Sequence, residues 1–142
     1  MKVGVKKLDP AAKIPKYATD GAACFDIAAL DAGTVVAGGA CQFRTGLAFE
    51  IPEDHVMLIF SRSGHGFKSG VRLSNCVGVI DSDYRGELGV KLQSDQTYIG
   101  VKEGDRIAQG LIIKYDRVQF EEVSELSSTD RGTGGFGSTG VA

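Results

Sequence analysis

Phe43-Arg44-Thr45-Gly46-Leu47-Ala48-Phe49-Glu50-Ile51 decides the fold class. Phe43, Thr45, Leu47, Phe49 and Ile51 alternate with Arg44, Gly46, Ala48 and Glu50, so an extended chain would line one face with the larger residues. A helix would scatter the same residues around its circumference, because its side chains repeat every 3.6 positions and not every second one. Pro52-Glu53-Asp54 then closes the strand as a turn.

Working outward, short apolar stretches at 56–60, 77–80, 88–92 and 107–118 read as further strands, punctuated by Gly33, Gly38-Gly39, Gly86 and Glu103-Gly104-Asp105. One short helix is predicted from Gly64 to Ser69. The 20 glycines are about twice average usage, which suits tight turns. The expected fold is all-β: a sandwich, jelly roll or small distorted barrel. Composition shifts at Glu121-Glu122-Val123-Ser124-Glu125-Leu126-Ser127-Ser128 to a polar linker, dividing a β domain at 1–120 from a linker and glycine-rich arm at 121–142.

With 142 residues, one ordinary domain is expected. A formal charge of −2 and an isoelectric point near 5.7 supply no basic field for a nucleic-acid polymer, so phosphate recognition has to be local. Cys24, Cys41 and Cys76 are odd in number and lack Cys-x-x-Cys spacing, which fits a reducing, cytoplasmic setting better than a disulfide framework or structural zinc. Neither an export signal nor a membrane-spanning apolar run is read from the sequence.

The arm, Arg131-Gly132-Thr133-Gly134-Gly135-Phe136-Gly137-Ser138-Thr139-Gly140, holds five glycines in ten positions and cannot build a core. It can aim backbone N–H groups at an anion, with Arg131 as a phosphate fork and Phe136 as a stacking surface for a base. The same composition also suits a disordered tail. The densest polar constellation is Gly78-Val79-Ile80-Asp81-Ser82-Asp83-Tyr84-Arg85-Gly86-Glu87, where a buried-looking apolar pair runs into two acids. An acid at the end of an apolar strand is rigid and partly desolvated, as a general base for water requires. Asp81 is the better placed; Asp83 shares its face in a strand but equally suits a turn, and the whole segment also reads as a hydrophilic hairpin corner.

Arg62-Ser63-Gly64-His65-Gly66-Phe67-Lys68 gathers a guanidinium, a hydroxyl and glycines within one turn, the types a triphosphate needs, although it is not a Walker loop. Ser63 and His65 are poorly spaced for a nucleophile pair, and His55 and His65 are expected as solvated loop histidines. Asp26 stands between apolar Phe25 and Ile27, and Gly104-Asp105-Arg106-Ile107-Ala108-Gln109 is a turn entering a strand.

In this order the pieces resemble the five motifs of the homotrimeric dUTPase family, from about Ala22 to Gly140: Ala23-Cys24-Phe25-Asp26-Ile27, Arg62-Ser63-Gly64, Asn75 through Glu87, Gly104 through Gln109, and the arm. Cys24 stands where the family usually has glycine, and His65-Gly66 replace a more apolar pair. The resemblance implies a jelly-roll subunit in a homotrimer with shared sites, and hydrolysis of dUTP to dUMP and pyrophosphate, limiting uracil in DNA and supplying dUMP. It implies that Asp81 orients the attacking water and that Asn75, Gly78, Val79, Ile80, Tyr84 and Phe136 bind uracil and deoxyribose. It further implies phosphate contacts from Arg62, Ser63, Gly64, Gln109, Arg131, Gly134, Ser138 and Thr139, with magnesium carried on the triphosphate and touched by Asp26 through water. A dCTP deaminase shares the fold but uses a glutamate where this chain has Lys91, and a silent nucleotide-binding member is the remaining alternative.

Overall fold

The computed structural model describes residues 1–138 and 140. Twelve strands and one helix follow in order: β1 (Gly4–Lys7), β2 (Lys16–Tyr17), β3 (Phe25–Ala28), β4 (Gly33–Val35), β5 (Gly39–Arg44), β6 (Leu47–Glu50), β7 (His55–Phe60), α1 (Ser63–Ser69), β8 (Val71–Leu73), β9 (Val77–Ile80), β10 (Gly89–Ser94), β11 (Ile99–Val101) and β12 (Arg106–Lys114). The strands form four antiparallel sheets, ordered β2-β3-β12-β7-β9, β5-β10-β8, β1-β6 and β11-β4. Among the described residues no barrel closes. The arrangement is the all-β, jelly-roll-like one expected.

Phe43, Thr45, Leu47, Phe49 and Ile51 are all buried, but so are Gly46 and Ala48 of the expected outer face, and the stretch spans two strands, β5 and β6, that lie in different sheets. Gly46 breaks the run at φ +66°, and a Cβ there would stand 2.8 Å from the Ala12 Cβ, so the chain can change sheets only with glycine at this point. Thr45 keeps its buried hydroxyl satisfied by donating to the Leu88 carbonyl at 2.6 Å.

Phe43, Ile27, Leu47, Met57, Leu92 and Ile107 anchor the core between the sheets, each fully buried. Full burial of such a side chain contributes about 1.5–3 kcal/mol. The expected helix is present one residue earlier than read, and Gly70 at φ +60° ends it by donating to the Gly66 carbonyl. The strand expected to reach 118 stops at Lys114, opposite His55, because β7 has no further residues to pair with it. From Tyr115 every described residue but Gly134 is exposed.

Candidate functional site

One rung of the large sheet assembles three of the sequence segments. Asp26 of β3 lies opposite Gln109 of β12, and Gln109 lies opposite Phe60 of β7, which leads directly into Ser61 and Arg62. The Gln109 amide donates to the Ser61 carbonyl at 3.0 Å, and Arg62 donates to the Arg106 carbonyl at 3.1 Å. The Asp26 carboxylate meets Arg106 Nη1 at 3.0 Å and Arg62 Nε at 3.5 Å. Alternation buries Phe25 and Ile27 and turns Asp26 outward to a half-buried position. One carboxylate thus aligns two guanidinium forks and leaves the cluster with net positive charge, an environment for phosphate oxygens. Arg106 was not singled out from sequence; only its place between Asp105 and the β12 apolar run marked it, and its approach to Asp26 is a long-range contact.

Ser63 and Gly64 open α1, exposed beside this cluster. His65 departs from the solvated loop residue expected: it lies in α1, half-buried, with Nδ1 buried and no hydrogen-bond partner among the described residues. Burial lowers its pKa, the Arg62 charge lowers it further, and Asp105 opposes both. His55 is not in a loop either, since it begins β7 and its Nδ1 lies 2.9 Å from the Glu53 carbonyl.

The hairpin residues form a second place. Asn75, Gly78, Val79 and Ile80 line a cavity of about 310 Å³, and Val79, Ile80, Asp81 and Tyr84 line an adjoining one of about 290 Å³. Gly78 allows close packing on β7, since a Cβ there would come within 3.1 Å of the Ile59 Cβ. Val79 and Ile80 are not the buried pair expected. Among the described residues β9 pairs only with β7, an edge position that leaves Val79 62 % exposed, Ile80 half-buried and Asp81 exposed on the single chain. Asp81 and Asp83 share no strand face either, because the chain turns with the Tyr84 N–H donating to the Asp81 carbonyl at 3.2 Å. Tyr84 is half exposed, and its hydroxyl donates to the Glu87 carbonyl at 3.1 Å.

Cluster and hairpin lie apart. Val77 pairs with Phe60 and Ile80 with Met57, so Asp81 leaves β9 level with Val56, at the opposite end of β7 from Arg62. At about 3.3 Å per residue and about 4.8 Å between strands, the Asp81 and Gln109 backbones are roughly 16 Å apart. The arm forms a third place. Its described residues hydrogen-bond among themselves and to Thr129 just before them, as in Arg131 Nε to the Gly134 carbonyl at 2.8 Å and the Ser138 N–H to the Gly135 carbonyl at 3.1 Å. Phe136 is fully exposed at φ +45°. Thr139 lies outside the described residues.

The family model for dUTPase matches residues 10–140. The chain belongs to the dUTPase family. A deoxyuridine 5'-triphosphate nucleotidohydrolase of Anaplasma marginale is 45% identical over 132 residues, covering 90% of this chain and 89% of the relative. One of Nautilia profundicola is 44% identical and covers 99% of each chain. Among solved structures, the dUTPase of Staphylococcus bacteriophage 80alpha with dUPNHPP superposes with a TM-score of 0.91 at 27% identity, covering 99% of both chains. The five segments read from sequence therefore lie within a dUTPase chain, and nothing favours the deaminase alternative.

Proposed function

We propose that this chain hydrolyses dUTP to dUMP and pyrophosphate at a site that three subunits of a homotrimer complete together. The observation that carries the shared site is the separation of cluster, hairpin and arm on one chain, each bearing groups that one nucleotide triphosphate requires. Uracil enters the hairpin cavity, where the Asn75 amide and the backbone from Gly78 to Ile80 read its edge and leave no room for a C5 methyl. Tyr84 lies beneath the deoxyribose and excludes a 2′-hydroxyl. Arg62, Ser63, Gly64 and Gln109 of another subunit hold the phosphates. The arm closes over them with Arg131, Gly134, Ser138 and Thr139 on the phosphates and Phe136 on the base.

Asp81 accepts a proton from the water it orients toward the α-phosphorus, and pyrophosphate leaves on the opposite side. Positioning and charge compensation carry most of the acceleration. Exposed on one chain, Asp81 acquires its water-excluded surroundings only when a neighbouring cluster and arm cover the hairpin. Magnesium takes oxygen ligands and keeps several waters. The cluster offers it a single carboxylate, Asp26, already engaged by Arg62 and Arg106. Those residues fit an ion carried on the triphosphate, with Asp26 accepting from one of its waters. Such an ion would neutralise phosphate charge and fix the chain of phosphates. No helix among the described residues is long and apolar enough to cross a membrane; we place the chain in the cytoplasm, where a reducing setting suits the free thiols.

Pyrophosphate release from dUTP, dCTP and dTTP tests the reading. dUTP alone should turn over efficiently, whereas comparable turnover of dTTP would refute the pocket assigned to uracil. Deamination of dCTP without pyrophosphate release would replace the activity.

A further inference from the structure

Sugar selection by Tyr84 depends on what holds its ring in place, an inference that rests on the proposed deoxyribose pocket. Two features of the hairpin's return limb bear on it. The Tyr84 ring lies directly on the bare α-carbon of Gly86: a Cβ there would come within 3.0 Å of Tyr84 Cε2, Cζ and Oη. The ring's far end is fixed by its hydroxyl donating to the Glu87 carbonyl.

That carbonyl is itself immobilised from a distant part of the chain. Glu87 Oε1 accepts the Gly46 N–H at 2.7 Å, and Glu87 Oε2 meets Arg44 Nε at 3.3 Å. The next residue is bound on both sides, the Leu88 N–H donating to the Leu47 carbonyl at 2.8 Å and its carbonyl accepting from Thr45. Four bonds thus tie residues 87 and 88 to the kink where β5 passes into β6. The kink exists because Gly46 adopts a left-handed conformation, so the direction of its N–H and the Glu87 carboxylate that accepts from it are matched parts of one clamp.

We propose that Glu87 and Gly86 are positioning residues for sugar selection: the side chain of Glu87, clamped on Arg44 and Gly46, fixes the carbonyl on which the Tyr84 hydroxyl rests, and Gly86 gives the ring its seat. Neither touches the reacting atoms. Glu87 Oε1 and Oε2 are both committed to the kink, so this carboxylate does not compete with Asp81 for the water although both residues border the same cavity. A tyrosine free to swing would still cover a deoxyribose but would also yield to a ribose.

The test measures kcat/KM for dUTP and for UTP in the full-length chain and in Tyr84→Ala, Gly86→Ala, Glu87→Ala, Glu87→Gln and the double variant Tyr84→Ala/Glu87→Ala. Thermal melting is followed in parallel. Glu87→Ala should lower the dUTP/UTP preference about two- to tenfold, the size of one lost hydrogen-bonded restraint. Gly86→Ala should lower it as far as Tyr84→Ala does, and Glu87→Gln, which retains the acceptor for the Gly46 N–H, should restore most of it. In the double variant, removing Glu87 should add nothing to the loss from Tyr84→Ala, since both act through one ring. If Tyr84→Ala relaxes the preference while Glu87→Ala and Gly86→Ala, folded by melting, leave it intact, the positioning inference is wrong and the sugar reading stands. If Tyr84→Ala itself leaves the preference unchanged, the sugar reading fails. Equal, additive effects of Glu87→Ala with and without Tyr84 would show a general loosening of the fold and overturn the inference. Should Gly86→Ala not fold, the Glu87 variants decide alone.

Discussion

Mixing two defective chains measures how the site is divided. One chain carries Asp81→Asn and keeps its arm; the other ends after Ser128 and keeps its base. Neither change touches the core: Asp81 is exposed at the end of an edge strand, and the described residues after Ser128 make no hydrogen bond to the chain before them. Both chains should therefore fold and assemble. Each alone should be nearly inactive, the first for want of a base and the second because the site stays open to water. The hairpin and cluster lie roughly 16 Å apart along the sheet, and the arm's described residues hydrogen-bond to neither on their own chain, so the proposed shared site takes its base and its arm from different subunits. After joint refolding of equal amounts with random assembly, a site is competent when its base comes from the truncated chain and its arm from the Asp81→Asn chain. Each condition is met half the time, so about a quarter of the sites should recover, the statistics of a ring built from heterologous contacts. Pyrophosphate release against an unmixed wild-type control gives the fraction. Native mass measurement verifies the hybrid trimers. No recovery in verified hybrids would show that the arm serves its own subunit's base and would refute the argument from separation.

Asp81→Asn should lower kcat by about 10²–10⁴-fold with nucleotide binding retained; a mild effect here with a crippling Asp83→Asn would move the base to the turn residue. Gly46→Ala should destabilise the subunit by about 2–5 kcal/mol, combining a left-handed alanine with crowding against Ala12, Leu30 and Asp9. Denaturant melts that leave its stability unchanged would show that the kink relaxes. His65 titrates below its ordinary 6.5 when folded, so the unfolded chain binds its proton first. Its contribution is therefore complete above pH 6.5 and is lost as pH falls from there toward the folded pKa. His65→Gln should flatten the stability profile in that window; an unchanged slope would assign it to other groups.

Much of the fold was legible because β structure writes itself locally. The period of two at Phe43 to Ile51, the apolar run at 56–60 and the glycine and aspartate punctuation each report on neighbours in sequence. The helix at Ser63–Ser69 and the edge strand Val77–Ile80 were found within a residue for the same reason. Residue types named the chemistry too: an acid after an apolar strand, a guanidinium beside a hydroxyl, a glycine-rich arm with one aromatic ring.

Sheet pairing was not legible, because it is a relation between distant segments. Whether 43–51 is one strand or two depends on Gly46 meeting Ala12 and Leu30, and that contact is visible only after folding. The same holds for the exposure of Val79, set by the lack of a second partner for β9 among the described residues, and for the half-burial of His65 near the charges of Arg62 and Asp105. By itself the sequence determined an all-β chain with phosphate-binding and water-activating residue types in a family order. The tertiary structure alone decided that Asp26, Arg62, Arg106 and Gln109 meet around one rung while Asp81 lies at the far end of β7, because strand register converts sequence separation into distance, and no local pattern encodes register between strands some twenty to eighty residues apart.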